Sequence, residues 1–155
     1  LYHDLYDVET VTLRYFNVYG PNQTGGDYAG VIDVFADQAR NGDPITVHGD
    51  GQQTRDFVHV DDVVRANRLA ARTEHVGRAY NVGTGEAVTI RDLAERIRER
   101  VGSDSEIVHT TARDGDIRHS RADISRARDR LEYDVTVGLD AGLDTAVPVT
   151  PDAEQ

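Results

Sequence analysis

Apolar positions along the 155-residue chain change their period several times, and each change predicts an element. Thr10 to Phe16 is rich in β-branched and aromatic residues and predicts a strand, while the preceding L-Y-H-D-L-Y-D-V-E reads as the last turns of a helix entering it. Gly20-Pro21 followed by N-Q-T-G-G-D predicts a long polar loop, and such loops inside compact domains tend to be functional. From Gly30 to Asn41, Ile32, Phe35, Ala36 and Ala39 recur at helical spacing, and Asn41-Gly42 supplies a C-cap pattern. Ile45 to His48 predicts a short strand leading to an Asp50-Gly51 turn. Arg55 to Val60 alternates polar and apolar, with Asp61 expected as the N-cap of a helix reaching about Thr73.

Ala79 to Val82 predicts another strand, and Gly83-Thr84-Gly85 leads to Thr89, expected to cap a helix marked by Ile90, Leu93, Ala94, Ile97 and Val101. Ile107 to His109 predicts a strand, and Asp123 to Leu131 and Val137 to Ala146 predict short helices. Residues 1–146 then form one domain and 147–155 a flexible tail. The order is mixed α/β with short strands and no regular βαβ repeat, which suits a substrate-binding lobe better than a complete doubly wound domain.

Composition narrows the class. A hydrophobic share of 38% lies below the usual globular value, and the length allows one domain with a modest core. No apolar run approaches the roughly 20 residues of a membrane span, and the first residues lack a signal-peptide profile, so a soluble cytoplasmic protein is expected. The absence of cysteine removes disulfides and thiolate zinc sites. Twenty Asp and eight Glu give a formal charge of −11, which argues against nucleic acid as a partner. The Asp excess points to a salt-adapted, halophilic protein; an arginine-for-lysine bias from a GC-rich genome is the alternative.

Arg55 and Arg113 are the first candidate binding residues, because guanidinium forks converging from separate loops clamp a diphosphate. On residue type alone, ion pairing is the simpler account: Arg55 with Asp50 or Asp56, Arg113 with Asp114 or Asp116. Asn17 carries both donor and acceptor for a phosphate or sugar contact, or simply forms a turn before Gly-Pro. Tyr15 and Phe16 point to opposite strand faces, and packing is their plain alternative. Gly83-Thr84-Gly85 lacks a third glycine and reads as a tight turn, and His59, Asp61 and Asp62 read as a strand end and helix start rather than metal ligands. His109 and His119 show no ligand spacing, and no Gly-x-Ser-x-Gly elbow or Walker loop occurs.

R-Y-F-N-V-Y-G-P (Arg14 to Pro21), G-D-G-Q-Q-T-R-D-F-V-H-V-D-D (Gly49 to Asp62) and R-D-G-D (Arg113 to Asp116) together resemble the C-terminal half of the extended short-chain dehydrogenase/reductase family, in particular its UDP-hexose 4-epimerases. The resemblance implies the C-terminal part of a Rossmann-type α/β fold: the last strands of the sheet plus a small mixed α/β substrate-binding lobe. It implies a UDP-sugar substrate, NAD as cofactor and a homodimeric full-length enzyme. It places Arg55 and Arg113 on the diphosphate, with Asp116 orienting Arg113 or meeting a ribose hydroxyl. Asn17 and Phe16 fall near the sugar and phosphates, and Tyr15 beside the nicotinamide. Val31 and Ile32 fall on the uridine side, as does His48, where relatives usually carry Tyr or Phe; imidazole is a smaller stacking platform.

No catalytic residue is expected in this chain. All seventeen basic residues are arginine, so a Tyr-x-x-x-Lys pair does not occur, and the Gly-x-x-Gly-x-x-Gly turn of the family is absent. NAD is therefore expected to be bound mainly by an N-terminal half outside these residues. D-I-R-H-S-R-A-D-I-S (Asp116 to Ser125) leans towards an epimerase, against the related 4,6-dehydratases and UDP-glucuronate decarboxylases. A remnant that binds nucleotide without catalysis is the rival outside the enzyme class.

Overall fold

A computed structural model describes residues 2–23 and 30–148. In chain order the elements are α1 (Tyr2–Tyr6), β1 (Val11–Tyr15), β2 (Asn17–Tyr19), α2 (Val31–Asn41), β3 (Ile45–His48), β4 (Thr54–Arg55), β5 (Phe57–His59), α3 (Val60–Ala70), β6 (Arg78–Val82), β7 (Val88–Thr89), α4 (Ile90–Val101), β8 (Ile107–Thr110), α5 (Ser125–Leu131) and α6 (Leu139–Ala146). Most of the expected N-Q-T-G-G-D loop, residues 24–29, and residues 149–155 of the expected tail lie outside the described residues. Val147 belongs to the packed unit, since it is buried against the core that α2 and α4 share.

Three strand pairs are parallel, β1 with β6, β2 with β5 and β3 with β8; β4 pairs antiparallel with β7. The chain changes partner between β1 and β2. Phe16 N donates to Val82 O at 2.9 Å, whereas the next residue, Asn17, donates its N to Asp56 O at 3.1 Å. The strand therefore leaves β6 for β5 at Asn17, the kind of divergence beside which α/β folds bind ligands. Strand periodicity then divides the interior in two. Phe57 joins a cluster with Phe35, Ile45, Leu93 and Ile97, and the adjacent Val58 joins one with Tyr80, Val82 and Tyr133.

Local chemistry starts and stops the helices. Thr89 Oγ1 accepts from Asp92 N at 3.0 Å and opens α4, while Gly42 (φ +73°) takes the left-handed position that closes α2. The start of α3 differs from expectation. His59, not Asp61, occupies the N-cap, its Nδ1 accepting from Asp61 N at 3.3 Å, and the helix stops at Ala70 rather than Thr73. Asp62 turns inward and accepts from Thr136 N at 3.0 Å and Val137 N at 3.1 Å, so it fastens the connection into α6. Arg96 and Arg100 bind Asp140, and Arg100 also binds Asp144, tying α4 to α6 across the surface.

Candidate functional site

A cleft of about 420 Å³ opens beside the partner switch and gathers six of the expected site residues: Asn17, Val31, His48, Arg55, Arg113 and Asp116. They come from β2, α2, β3, β4 and the segment after β8. That segment turns at R-D-G-D, where Asp116 N donates to Arg113 O at 3.2 Å and Gly115 holds φ +77°, a conformation costly for other residues. The turn brings Arg113 and Asp116 to the same wall.

Arg55 is the most firmly held of the six. Its Nη1 donates to Thr54 O at 2.7 Å and to Ile117 O at 2.5 Å, and its Nη2 donates to the Asp116 carboxylate. Neither Asp50 nor Asp56 is its partner. Asp50 instead meets Arg118 at 2.7 and 2.9 Å, and that guanidinium together with Gln52 N lowers the carboxyl to a pKa of about 2. The Asp116 carboxylate meets Arg55, not Arg113, among the described residues. Arg113 is exposed and makes no ion pair among the described residues; its Nη2 meets His48 Nε2 at 3.2 Å.

Asn17 is fixed by Asp56 O, which accepts from both its backbone N and its Nδ2, the latter at 2.9 Å. A carbonyl only accepts, so this bond sets the amide orientation and leaves Oδ1 as the acceptor of that side chain. Asp56, weighed from the sequence only as a partner for Arg55, has another role. Fully buried, its carboxylate accepts from Thr84 N at 2.8 Å, Thr84 Oγ1 at 2.7 Å, Gly85 N at 2.9 Å and Ala122 N at 3.0 Å. The glycine turn that resembles a nucleotide loop thus wraps an internal anion. Gly83 is needed there, since a Cβ would lie 2.5 Å from Ala122 Cβ and 3.0 Å from Asp56 Oδ2.

Three expected residues stand apart from the cleft. Ile32 is buried in the core with 2% exposure, because the next position on a helix turns by about 100° from Val31. Phe16 packs against the Val58 cluster. Tyr15 stays 47% exposed and donates its hydroxyl to Asn67 Oδ1 at 2.9 Å. The packing alternative describes how Phe16 sits. Sequence reasoning missed Val34, Phe35 and Gln38, which with Val31 form a second stripe at i, i+3, i+4 and i+7 on α2. It also missed Thr46, Phe57, Ile90 and Gln53, whose Nε2 donates to His48 O at 2.8 Å.

Chemically, Arg55 and Arg113 equip this wall to grip an anion. Burial first, then nearby carboxylates, push the Tyr19 and Tyr133 phenols up, so neither ionises near neutrality. No group of three metal-ligating side chains occurs among the described residues. No helix among them is long and apolar enough to cross a membrane. The backbone donors of the glycine turn, Thr84 N and Gly85 N, already serve Asp56 and so do not face a dinucleotide phosphate.

The family of NAD dependent epimerases/dehydratases matches residues 1–83, and the chain belongs to it. A UDP-glucose 4-epimerase of Mycolicibacterium smegmatis is 38% identical over 143 residues, 92% of this chain and 46% of that protein. A UDP-N-acetyl-alpha-D-glucosaminuronate decarboxylase of Bacillus cytotoxicus is 36% identical over 138 residues, 84% of this chain and 43% of its own length. Among solved structures, UDP-glucose 4-epimerase with UDP-glucose from Thermotoga maritima superposes with a TM-score of 0.90 at 38% identity, covering 94% of this chain and 47% of that one. The fold is accordingly part of a Rossmann-type extended short-chain dehydrogenase/reductase, and the chain spans about half the length of the relatives it matches.

Proposed function

We propose that this chain is the substrate-binding part of an NAD-dependent nucleotide-sugar epimerase, with a UDP-hexose such as UDP-glucose or a UDP-N-acetylhexosamine as substrate. The observation that carries the reading is the convergence of Arg55, Arg113 and Asn17, from three separate segments, on one cleft. Arg113 brings a cation without a carboxylate partner among the described residues, and Arg55 is set in place by two carbonyls and Asp116. Val31, Phe35, Phe57 and Ile90 give the same cleft an apolar side for a base. The related 36%-identical decarboxylase keeps decarboxylation as the second reading within the family.

In this proposal NAD serves as the hydride carrier for the sugar carbon and is bound mainly by residues outside the chain. The residues here bind and orient: the arginines hold the diphosphate, the apolar wall seats the base, and Asn17 contributes polar contacts near the phosphates. Calorimetric titration of the chain with UDP-glucose, UDP-N-acetylglucosamine and UDP-glucuronate tests the reading. Binding of a UDP-sugar much tighter than uridine is expected, with no interconversion of UDP-glucose and UDP-galactose by the chain and NAD alone. Equal affinity for uridine and UDP-glucose, or no binding of either, refutes it.

A further inference from the structure

We infer that His48 is the positioning residue for Arg113 and that its hold requires a neutral imidazole, so capture of a diphosphate weakens as His48 takes up a proton. The inference rests on reading the cleft as a nucleoside-diphosphate site. Hydrogen-bond chemistry sets the protonation state. A guanidinium only donates, so the 3.2 Å contact from Arg113 Nη2 makes His48 Nε2 an acceptor. A carbonyl oxygen only accepts, so Nδ1, 3.3 Å from Thr111 O, carries the proton. Thr110 Oγ1, 3.1 Å from the same Nδ1, is a hydroxyl and adapts to it. This pattern puts the acceptor at Nε2 and the donor at Nδ1, and contacts the ring from both ends.

The two cleft arginines differ in what fixes them. Arg55 has two carbonyls and a carboxylate, whereas the side chain of Arg113 has a single hydrogen bond among the described residues, the one to His48. The charged groups lining the cleft with His48 are Arg55 from β4 and Arg113 and Asp116 from the segment after β8. The cleft faces of α2 and α4 bring Val31, Val34, Phe35, Gln38 and Ile90, none charged. Asp116 is already engaged by Arg55. Protonated Nε2 would point a hydrogen at a guanidinium with no carboxylate between them, and Arg113 would lose its seat.

Calorimetry with UDP-glucose from about pH 8 to about pH 5 covers the interval in which an imidazole changes charge. The 155-residue chain should lose about tenfold in affinity across it, the equivalent of one charge-assisted hydrogen bond. His48→Gln, whose amide oxygen still accepts but does not titrate, should show an affinity that does not change with pH. Long-range proton–nitrogen NMR of the imidazole, recorded without ligand, should show the neutral ring protonated on Nδ1, reverting to the commoner Nε2-protonated form in Arg113→Ala. A flat or rising affinity as pH falls, or a His48→Gln profile parallel to wild type, overturns the inference. An Nε2-protonated ring with UDP-glucose still bound refutes the His48 hold alone. No binding at pH 8 beside an intact Nδ1-protonated ring refutes the nucleotide reading, and the diphosphate part of the inference with it.

Discussion

Replacing Arg55 by alanine tests the cleft at its best-anchored point. The Arg55 side chain is 15% exposed and its guanidinium partners are the Asp116 carboxylate and two carbonyls. A diphosphate loses charge-assisted hydrogen bonds worth about 1.5–3 kcal/mol each, roughly a ten- to hundredfold fall in UDP affinity. The substitution also leaves Asp116 unpaired beside the incoming phosphates, an added repulsion that Arg113→Ala does not create. Arg55→Ala should therefore cost more than Arg113→Ala, and Asp116→Asn in the Arg55→Ala background should recover part of the loss, with a coupling of about 0.5–3 kcal/mol. Calorimetry with UDP and with uridine reads the effect, and Arg98→Ala, on α4 and outside the cleft, is the control. Uridine has no phosphate and should be hardly affected. Equal losses for both ligands, or a loss matched by Arg98→Ala, would show that Arg55 serves only its structural pairing with Asp116.

Four further outcomes follow from the same geometry. With a formal charge of −11 and individually weak surface ion pairs, the chain should melt at a higher temperature as KCl rises to molar levels; a flat or falling midpoint by circular dichroism rejects salt adaptation. Gly142→Ala would put a methyl 2.0 Å from the Tyr19 hydroxyl, so urea unfolding should report a loss of about 1–3 kcal/mol, partly relieved by Tyr19→Phe. Asp56→Asn turns an amide towards N–H donors that now meet a carboxylate, and should cost about 3 kcal/mol; a change within experimental error means the Thr84–Gly85 turn does not depend on that charge. Asp50 should titrate near pH 2 by carbon NMR and move up in Arg118→Ala. Because its carboxyl is lowered in the folded state, the pair stabilises above the ordinary carboxylate range and that contribution is lost as pH falls towards 2.

Elements whose cause is local were legible in the chain. The Ile32, Phe35, Ala36, Ala39 stripe and Gly42 define α2, and Thr89 with its following apolar stripe defines α4, because caps and periodicity act within one or two turns. The motifs around Asn17, Arg55 and Arg113 marked part of the cleft, its arginine and aspartate side chains included, since each motif carries a glycine turn that the sequence itself shows. Contact partners were decided elsewhere. Asp116 engages Arg55 rather than Arg113, Ile32 faces the core while Val31 faces the cleft, and His59 caps α3 in place of Asp61. Asp56, offered by the sequence only as a partner for Arg55, holds the glycine turn, the segment at Ala122 and Asn17 together. Each depends on which strands lie side by side, and that is set by long-range packing of two cores on opposite faces of β5, which no local pattern of residues encodes.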